Sequence, residues 1–251
     1  MDKGNEKVVR AEYNGAINYG FLEDGRVEWA RGEIPSLERT GNFAEIDRCK
    51  LLAPLIPQKI IIIAVNYDDK QKIPVQEREE PIVVLKPLTT LIGPGDNIIY
   101  PQNTNAVNYE AEVAVVIGKS AKNVSVEDAM NYVFGFTLVN DVTDAERLTG
   151  QWTFGKGHDT FLPMGPAIVV SQDYRDITVE GYLNGARVQN GHWRHLIRSV
   201  PELICLISSF MTLVPGDVIC AGTPSGIGRL QRGDVFTVKN EFIGELTNRV
   251  V

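Results

Sequence analysis

Short apolar runs, each stopped by a turn signal before it reaches the length of a helix, recur along this chain and constrain it to a strand-rich fold. From Lys7 to Ala30 the residues alternate, with Asn14-Gly15 and Asp24-Gly25 marking the bends, so this stretch reads as two hairpins. The β-branched run Ile60 to Val65 follows a proline-containing stretch, Leu52 to Pro57, and a domain boundary is placed near residue 55. A small N-terminal β domain, 1–55, is therefore expected before a main domain, 56–251.

In the main domain, strands are expected at Ile82 to Leu85, Val113 to Ile117, Phe134 to Val139, Ile168 to Val170, Val179 to Leu183, Val218 to Ala221 and Val235 to Val238. Asn184-Gly185, Pro215-Gly216-Asp217 and Arg232-Gly233-Asp234 supply the turns of a mainly antiparallel sheet. Two helices are expected, one after Ser125 and Asp128 over AMNYV and one over SVPELICLISSFM, where Ser199 and Glu202 have capping-box spacing. The fold class is α+β with few helices, and the alternating βαβ pattern of a doubly wound nucleotide-binding domain is missing.

A 43% hydrophobic content is ample for a core, and the net charge of -7 without long single-sign runs argues against a nucleic-acid partner. Cys49, Cys205 and Cys220 are odd in number and widely spaced, which indicates neither a disulfide framework nor a zinc site and fits a reducing cytoplasm. The opening residues lack the apolar core of a signal peptide, and no segment approaches the roughly 18 continuous apolar residues of a membrane helix.

Glu110 and Glu112 head the apolar run Val113 to Ile117, and alternation along a strand points both to one face, a pattern given either by a solvated strand edge or, with Asp141 at the end of a later run closing the set, by a three-carboxylate cation site. Their face continues as Ala114 and Val116, so the acids sit where unpaired charge is costly. Oxygen ligands without histidine or cysteine select Mg²⁺, Mn²⁺ or Ca²⁺ over zinc. Lys156, between glycines in GKGHDTFLPMGP, is a candidate carbonyl-polarising or proton-transfer group, with Asp159 its partner or a turn residue. The loop GTPSGIG, 222–228, has amides and hydroxyls suited to a carboxylate and lacks the lysine of a P-loop, since Arg229 and Leu230 follow it. His158, His192 and His195 show neither relay nor HExxH spacing.

In this order, NY at 66 and 67, VVLKPLTTLIGPGDNI, NYEAEVAVVIGK, GFTLVNDVT, QWTFGKGHDTFLPMGP, VQNGHWRHLIRSVPEL, FMTLVPGDVICAGTPSGIG and IGELTNRV resemble the fumarylacetoacetate hydrolase family, in particular its 2-hydroxyhepta-2,4-diene-1,7-dioate isomerase and acylpyruvate hydrolase group. The resemblance implies a mixed β-sandwich roll, a homodimer, and Mg²⁺ or Mn²⁺ held by Glu110, Glu112 and Asp141, with Ca²⁺ able to substitute in vitro. It makes Lys156 catalytic, and assigns Asn66, Tyr67, Gly222 and Thr223 to substrate binding. The implied reaction is isomerisation, decarboxylation or C–C hydrolysis of a short 2-oxo acid or its enol, by stabilising an enolate.

The departures narrow that expectation. In the hydrolases the NY motif leads to a water-activating histidine and glutamate, at positions filled here by Lys70 and Ile73. The balance moves from hydrolysis toward isomerisation or decarboxylation, with Lys70 as a substitute base if its pKa is lowered. The hydrolases' arginine and glutamine after the metal-binding aspartate are Ala145 and Leu148 here, with Arg147 as a substitute for the arginine if the register shifts. Arg198 is either solvated or a contact for an acidic substrate tail. The competing expectation is a catalytically impaired relative that binds metal and ligand without turnover.

Overall fold

The computed structural model describes residues 6–68, 80–173 and 175–251. Its large sheet runs in the order Ser36–Glu45, Arg26–Glu33, Ala16–Glu23, Lys7–Tyr13, Leu162–Val169, Val133–Asn140, Ala111–Ile117, Val218–Cys220, Ile60–Ala64 and Ile82–Lys86. The N-terminal meander joins it through the antiparallel pairs Lys7↔Val169 and Val8↔Ile168. Asn14 and Gly15, and likewise Asp24 and Gly25, have φ between 48° and 78°, the left-handed pair that closes a two-residue hairpin.

A second sheet, Ala186–His192, Thr178–Leu183, Val235–Asn240, Gly244–Val250 and Asn97–Ile98, packs against one face of the first. Ile61, Ile63, Val113, Val115 and Ile117 meet Val179, Phe236, Val238 and Leu246 in the core between them. The opposite side chains, Ile60, Ile62, Ala114, Val116 and Cys220, pack with Ala53, Leu55, Leu162 and Met164. Ile60–Ala64 is thus buried throughout and pairs in parallel with Val218–Cys220, which explains its unbroken apolar sequence. A third sheet of short strands, Thr143–Asp144, Val107–Tyr109 and Gly228–Arg229, lies at the end where the carboxylates emerge.

Most ladders are antiparallel, as the turn signals require, and the strand-rich α+β expectation holds. Among the described residues the two α-helices are Trp152–Lys156 and Val200–Phe210. Only the second was expected. Its Ser199 amide and hydroxyl both donate to Glu202 Oε2, at 2.6 and 2.7 Å, and Pro201 sits in the first turn. The helix expected over AMNYV is a single 3-10 turn, Ala129–Tyr132. Ser125 and Asp128 do bond side chain to side chain at 3.2 Å, but Gly118 N–H takes the Tyr132 carbonyl and Val133 already pairs with Ile117, so the strand claims the next turn.

Glu202→Ala is expected to remove the N-terminal cap of Val200–Phe210 at a cost of about 1 kcal/mol, measured as a lower urea midpoint with unchanged slope.

Candidate metal centre

The site lies where two neighbouring strands part. Val218–Cys220 pairs with Ala111–Ile117 only from Ala114 onward, and a last, long contact joins Ala221 N–H to the Val113 carbonyl at 3.4 Å. Beyond it the chain turns off into the GTPSGIG loop, and side chains replace the missing ladder. Gly222 N–H donates to Glu112 Oε2 at 2.8 Å, and Thr223 Oγ1 donates to the Ala111 carbonyl at 2.9 Å. On the other side, Glu110 N–H donates to Asn140 Oδ1 and Asp141 N–H to the Glu110 carbonyl, both at 2.9 Å.

This places one carboxylate oxygen from each of Glu110, Glu112 and Asp141 within 4.8 Å of the others. All three are buried, Asp141 completely. Two lysines answer them. Lys156, 1% exposed, contacts Asp141 Oδ2, Glu110 Oε2 at 3.2 Å and Thr143 Oγ1 at 2.9 Å. Lys86 donates to Asp141 Oδ1 at 2.5 Å and to the carbonyls of Phe161 at 2.6 Å and Val142 at 3.0 Å.

Lys156 ends the five-residue helix Trp152–Lys156. A Cβ at Gly155 would lie 2.6 Å from the Asp144 carbonyl oxygen and one at Gly157 2.7 Å from that of Thr153, so both glycines are needed to bring the lysine in. Asp159 is exposed, and no ion pair among the described residues joins it to Lys156. Asn66 is 2% exposed; its Nδ2 donates to the carbonyls of Ala221 at 2.8 Å and Arg198 at 3.1 Å, and its Oδ1 accepts from Arg198 N–H at 2.9 Å. Its side chain therefore clamps the start of the loop. Tyr67 forms an isolated bridge with Leu196 and lies beside Gly191. Arg147 is bound to Asp144, Nε to Oδ2 at 3.2 Å, and stacks on Phe154. Lys70 and Ile73 lie outside the described residues.

Sequence reasoning passed over Lys86, Thr143, Asn140 and Gln189. Lys86 closes an apolar run just before Pro87, where a lysine reads as a solvated strand end; only the tertiary fold buries it.

The charges do not balance internally. Burial raises the Glu112 carboxyl well above the ordinary carboxylate range, and Asp141 and Glu110 push it further. Burial also raises Glu110, against the pull of Lys156. For Asp141 burial is outweighed by Lys156 and Lys86, which hold it low. Burial works to lower Lys156, but Asp141 and Glu110 overcome it and keep the amine protonated, whereas burial wins at Lys86 and lowers it. Three acids against two lysines, all-oxygen donors and a Glu112 whose charge is disfavoured by burial fit a hard divalent cation.

The fumarylacetoacetate (FAA) hydrolase C-terminal family profile matches residues 59–251. An uncharacterized protein of Archaeoglobus fulgidus is 41% identical over 92% of this chain and 94% of its own. A mitochondrial oxaloacetate tautomerase of Xenopus laevis is 39% identical over 92% of this chain and 77% of its own. Among solved structures, a 2-hydroxyhepta-2,4-diene-1,7-dioate isomerase from Mycobacterium marinum superposes with TM-score 0.91 at 33% identity, covering 98% of each chain. A 5-carboxymethyl-2-hydroxymuconate delta-isomerase from Mycobacterium smegmatis gives 0.92 at 34%, covering 98% of this chain and 99% of its own. No helix among the described residues is long and apolar enough to cross a membrane.

Because folding raises the Glu112 pKa, protonated Glu112 favours the folded state, and that contribution is lost as pH rises through the folded value. In EDTA at about pH 8, Glu112→Gln is therefore expected to melt above the unaltered chain, with the gap closing as pH falls toward the ordinary carboxylate range. A thermal melt series against pH measures it.

Proposed function

Since this chain belongs to the fumarylacetoacetate hydrolase family, we propose that it is a divalent-metal-dependent enzyme that interconverts the keto and enol forms of a short 2-oxo acid, oxaloacetate foremost. The observation that carries this reading is the buried set of Glu110, Glu112 and Asp141 with a protonated lysine in contact with two of them. The chain's similarity to an oxaloacetate tautomerase and two isomerases supports it.

Glu110, Glu112 and Asp141 would hold Mg²⁺ or Mn²⁺, and the ion would supply Lewis acidity toward a bound 2-oxo acid. The protein's own groups do the rest. Lys156 carries its proton at Nζ in a dry site, where a fixed positive charge acts strongly on negative charge developing at the substrate oxygen. In the enol-to-keto direction the same Nζ gives its proton to the substrate carbon, and the neutral amine left behind takes the proton of the enol hydroxyl; the keto-to-enol direction runs the same two transfers in reverse. Tyr67, Gly222 and Thr223 border the substrate, and Asn66 holds that border in place. Burial of the site excludes bulk water.

Keto–enol exchange needs proton transfer and charge stabilisation, both of which this set provides. Hydrolysis needs a water-activating base as well, and the positions that carry it in the hydrolases are Lys70 and Ile73. The working form is proposed to be a homodimer.

Decay of the enol absorbance of oxaloacetate should accelerate with purified protein and Mg²⁺ or Mn²⁺, and return to the uncatalysed rate in EDTA. Lys156→Met is expected to lower kcat at least about a hundredfold. Carbon dioxide release without faster enol decay would replace tautomerisation by decarboxylation. Protection against heat by oxaloacetate with no turnover of any kind would make the chain a binding relative.

A further inference from the structure

One buried side chain ties the carboxylate pair to the loop beside it. Gln189 lies on Ala186–His192, in the second sheet, and is 1% exposed. Its Oε1 accepts the Ala111 N–H at 2.9 Å, and its Nε2 donates to Thr223 Oγ1 and to the Pro224 carbonyl, each at 2.9 Å. Thr223 Oγ1 in turn donates to the Ala111 carbonyl. A closed circuit results: Ala111 N–H to Gln189, Gln189 to Thr223, Thr223 back to Ala111 C=O. Ala111 is the residue between the two glutamates, so both of its main-chain polar groups are fixed by this circuit.

The surroundings make room for it. A Cβ at Gly181 would come 3.1 Å from Gln189 Oε1 and 3.2 Å from the Ala111 methyl, and one at Gly191 would lie 2.7 Å from the Pro224 ring. A Cβ at Gly226, where φ is +97°, would lie 2.2 Å from the Val188 carbonyl oxygen and 3.3 Å from Gln189 Cγ. Gly181 and Gly226 thus lack a side chain where they lie against Gln189, and Gly191 lacks one where it lies against Pro224. The amide orientation follows from its partners: a backbone N–H needs the oxygen and a carbonyl needs the nitrogen. Glutamate would lack the donors, and an apolar residue would leave the Ala111 N–H and Pro224 carbonyl buried without partners.

From this circuit, and resting on the metal-dependent reading above, we propose that Gln189 is a positioning residue: it sets the separation of the Glu110 and Glu112 carboxylates and locks them to the Gly222–Gly228 loop as one unit. It touches no substrate. Its effect is transmitted through Ala111 and Thr223, in the way that residues behind metal ligands fix the ligands themselves.

The test measures Mn²⁺ binding by titration calorimetry, with thermal melts of the metal-free protein in parallel. Gln189→Met is expected to weaken Mn²⁺ binding about ten- to a hundredfold, and Thr223→Val, which opens the same circuit, to weaken it in the same direction. Thr223→Ser, which keeps the hydroxyl, should restore Mn²⁺ affinity. A residue that only holds the two sheets together would lower the melting temperature and leave Mn²⁺ affinity unchanged; that result in folded Gln189→Met overturns the proposal. Should Gln189→Met fail to fold, unchanged Mn²⁺ affinity in Thr223→Val overturns it instead. Absence of Mn²⁺ binding by the unaltered chain would sink the metal reading itself, and this proposal with it.

Discussion

Three carboxylates buried against two lysines are the constraint around which this fold is arranged. Charge is costly inside a protein unless it is paired and hydrogen-bonded, and here the pairing is incomplete. The surrounding backbone is recruited to make up the difference: Gly222 N–H supports Glu112, and the carbonyls of Val142 and Phe161 fix Lys86 opposite Asp141. Such a cluster is possible because Val218–Cys220 leaves its neighbour early. A continued ladder would have used the backbone groups that the site needs for ligand support.

How far the sequence displays this depends on the range of each interaction. Glu110 and Glu112 are legible because period-two alternation is a local property, and Asp141 because it ends an apolar run. Hairpin turns at Asn14-Gly15 and Asp24-Gly25 are legible for the same reason: the left-handed backbone they adopt favours those residue types. Lys86 and Gln189 are different. Each lies on a strand whose local pattern says only that it is extended, and each acquires its role from groups far away in the chain, 55 residues for Lys86 with Asp141 and 78 for Gln189 with Ala111.

The short helix over Trp152–Lys156 was hidden for another reason. Five residues give no apolar period, and two glycines, Gly155 within the turn and Gly157 just after it, disfavour helix in isolation. They are there for contact, since each lies against a carbonyl oxygen that a larger residue would strike. The expected helix at AMNYV failed in the opposite sense. Its capping residues do bond, but a cap stabilises only a helix that the following residues are free to continue, and Val133 is already committed to the sheet.

The two lysines also differ in what each is free to do. Lys86 fills its three donor positions with Asp141 and two main-chain carbonyls, and leaving any of them would strand a buried polar group. Lys156 shares Asp141 from the other oxygen, but its remaining partners are a hydroxyl, Thr143 Oγ1, and a second carboxylate, Glu110. The Thr143 hydroxyl also donates to the Asp141 carbonyl, so its own bonding does not depend on the amine. On the proposed function, Lys156 is therefore the amine assigned to the substrate oxygen and carbon, while Lys86 keeps Asp141 neutralised and in place. That proposed assignment separates fixed counter-charge from proton carrier, and it requires both lysines: a single amine performing both tasks would release Asp141 whenever it moved.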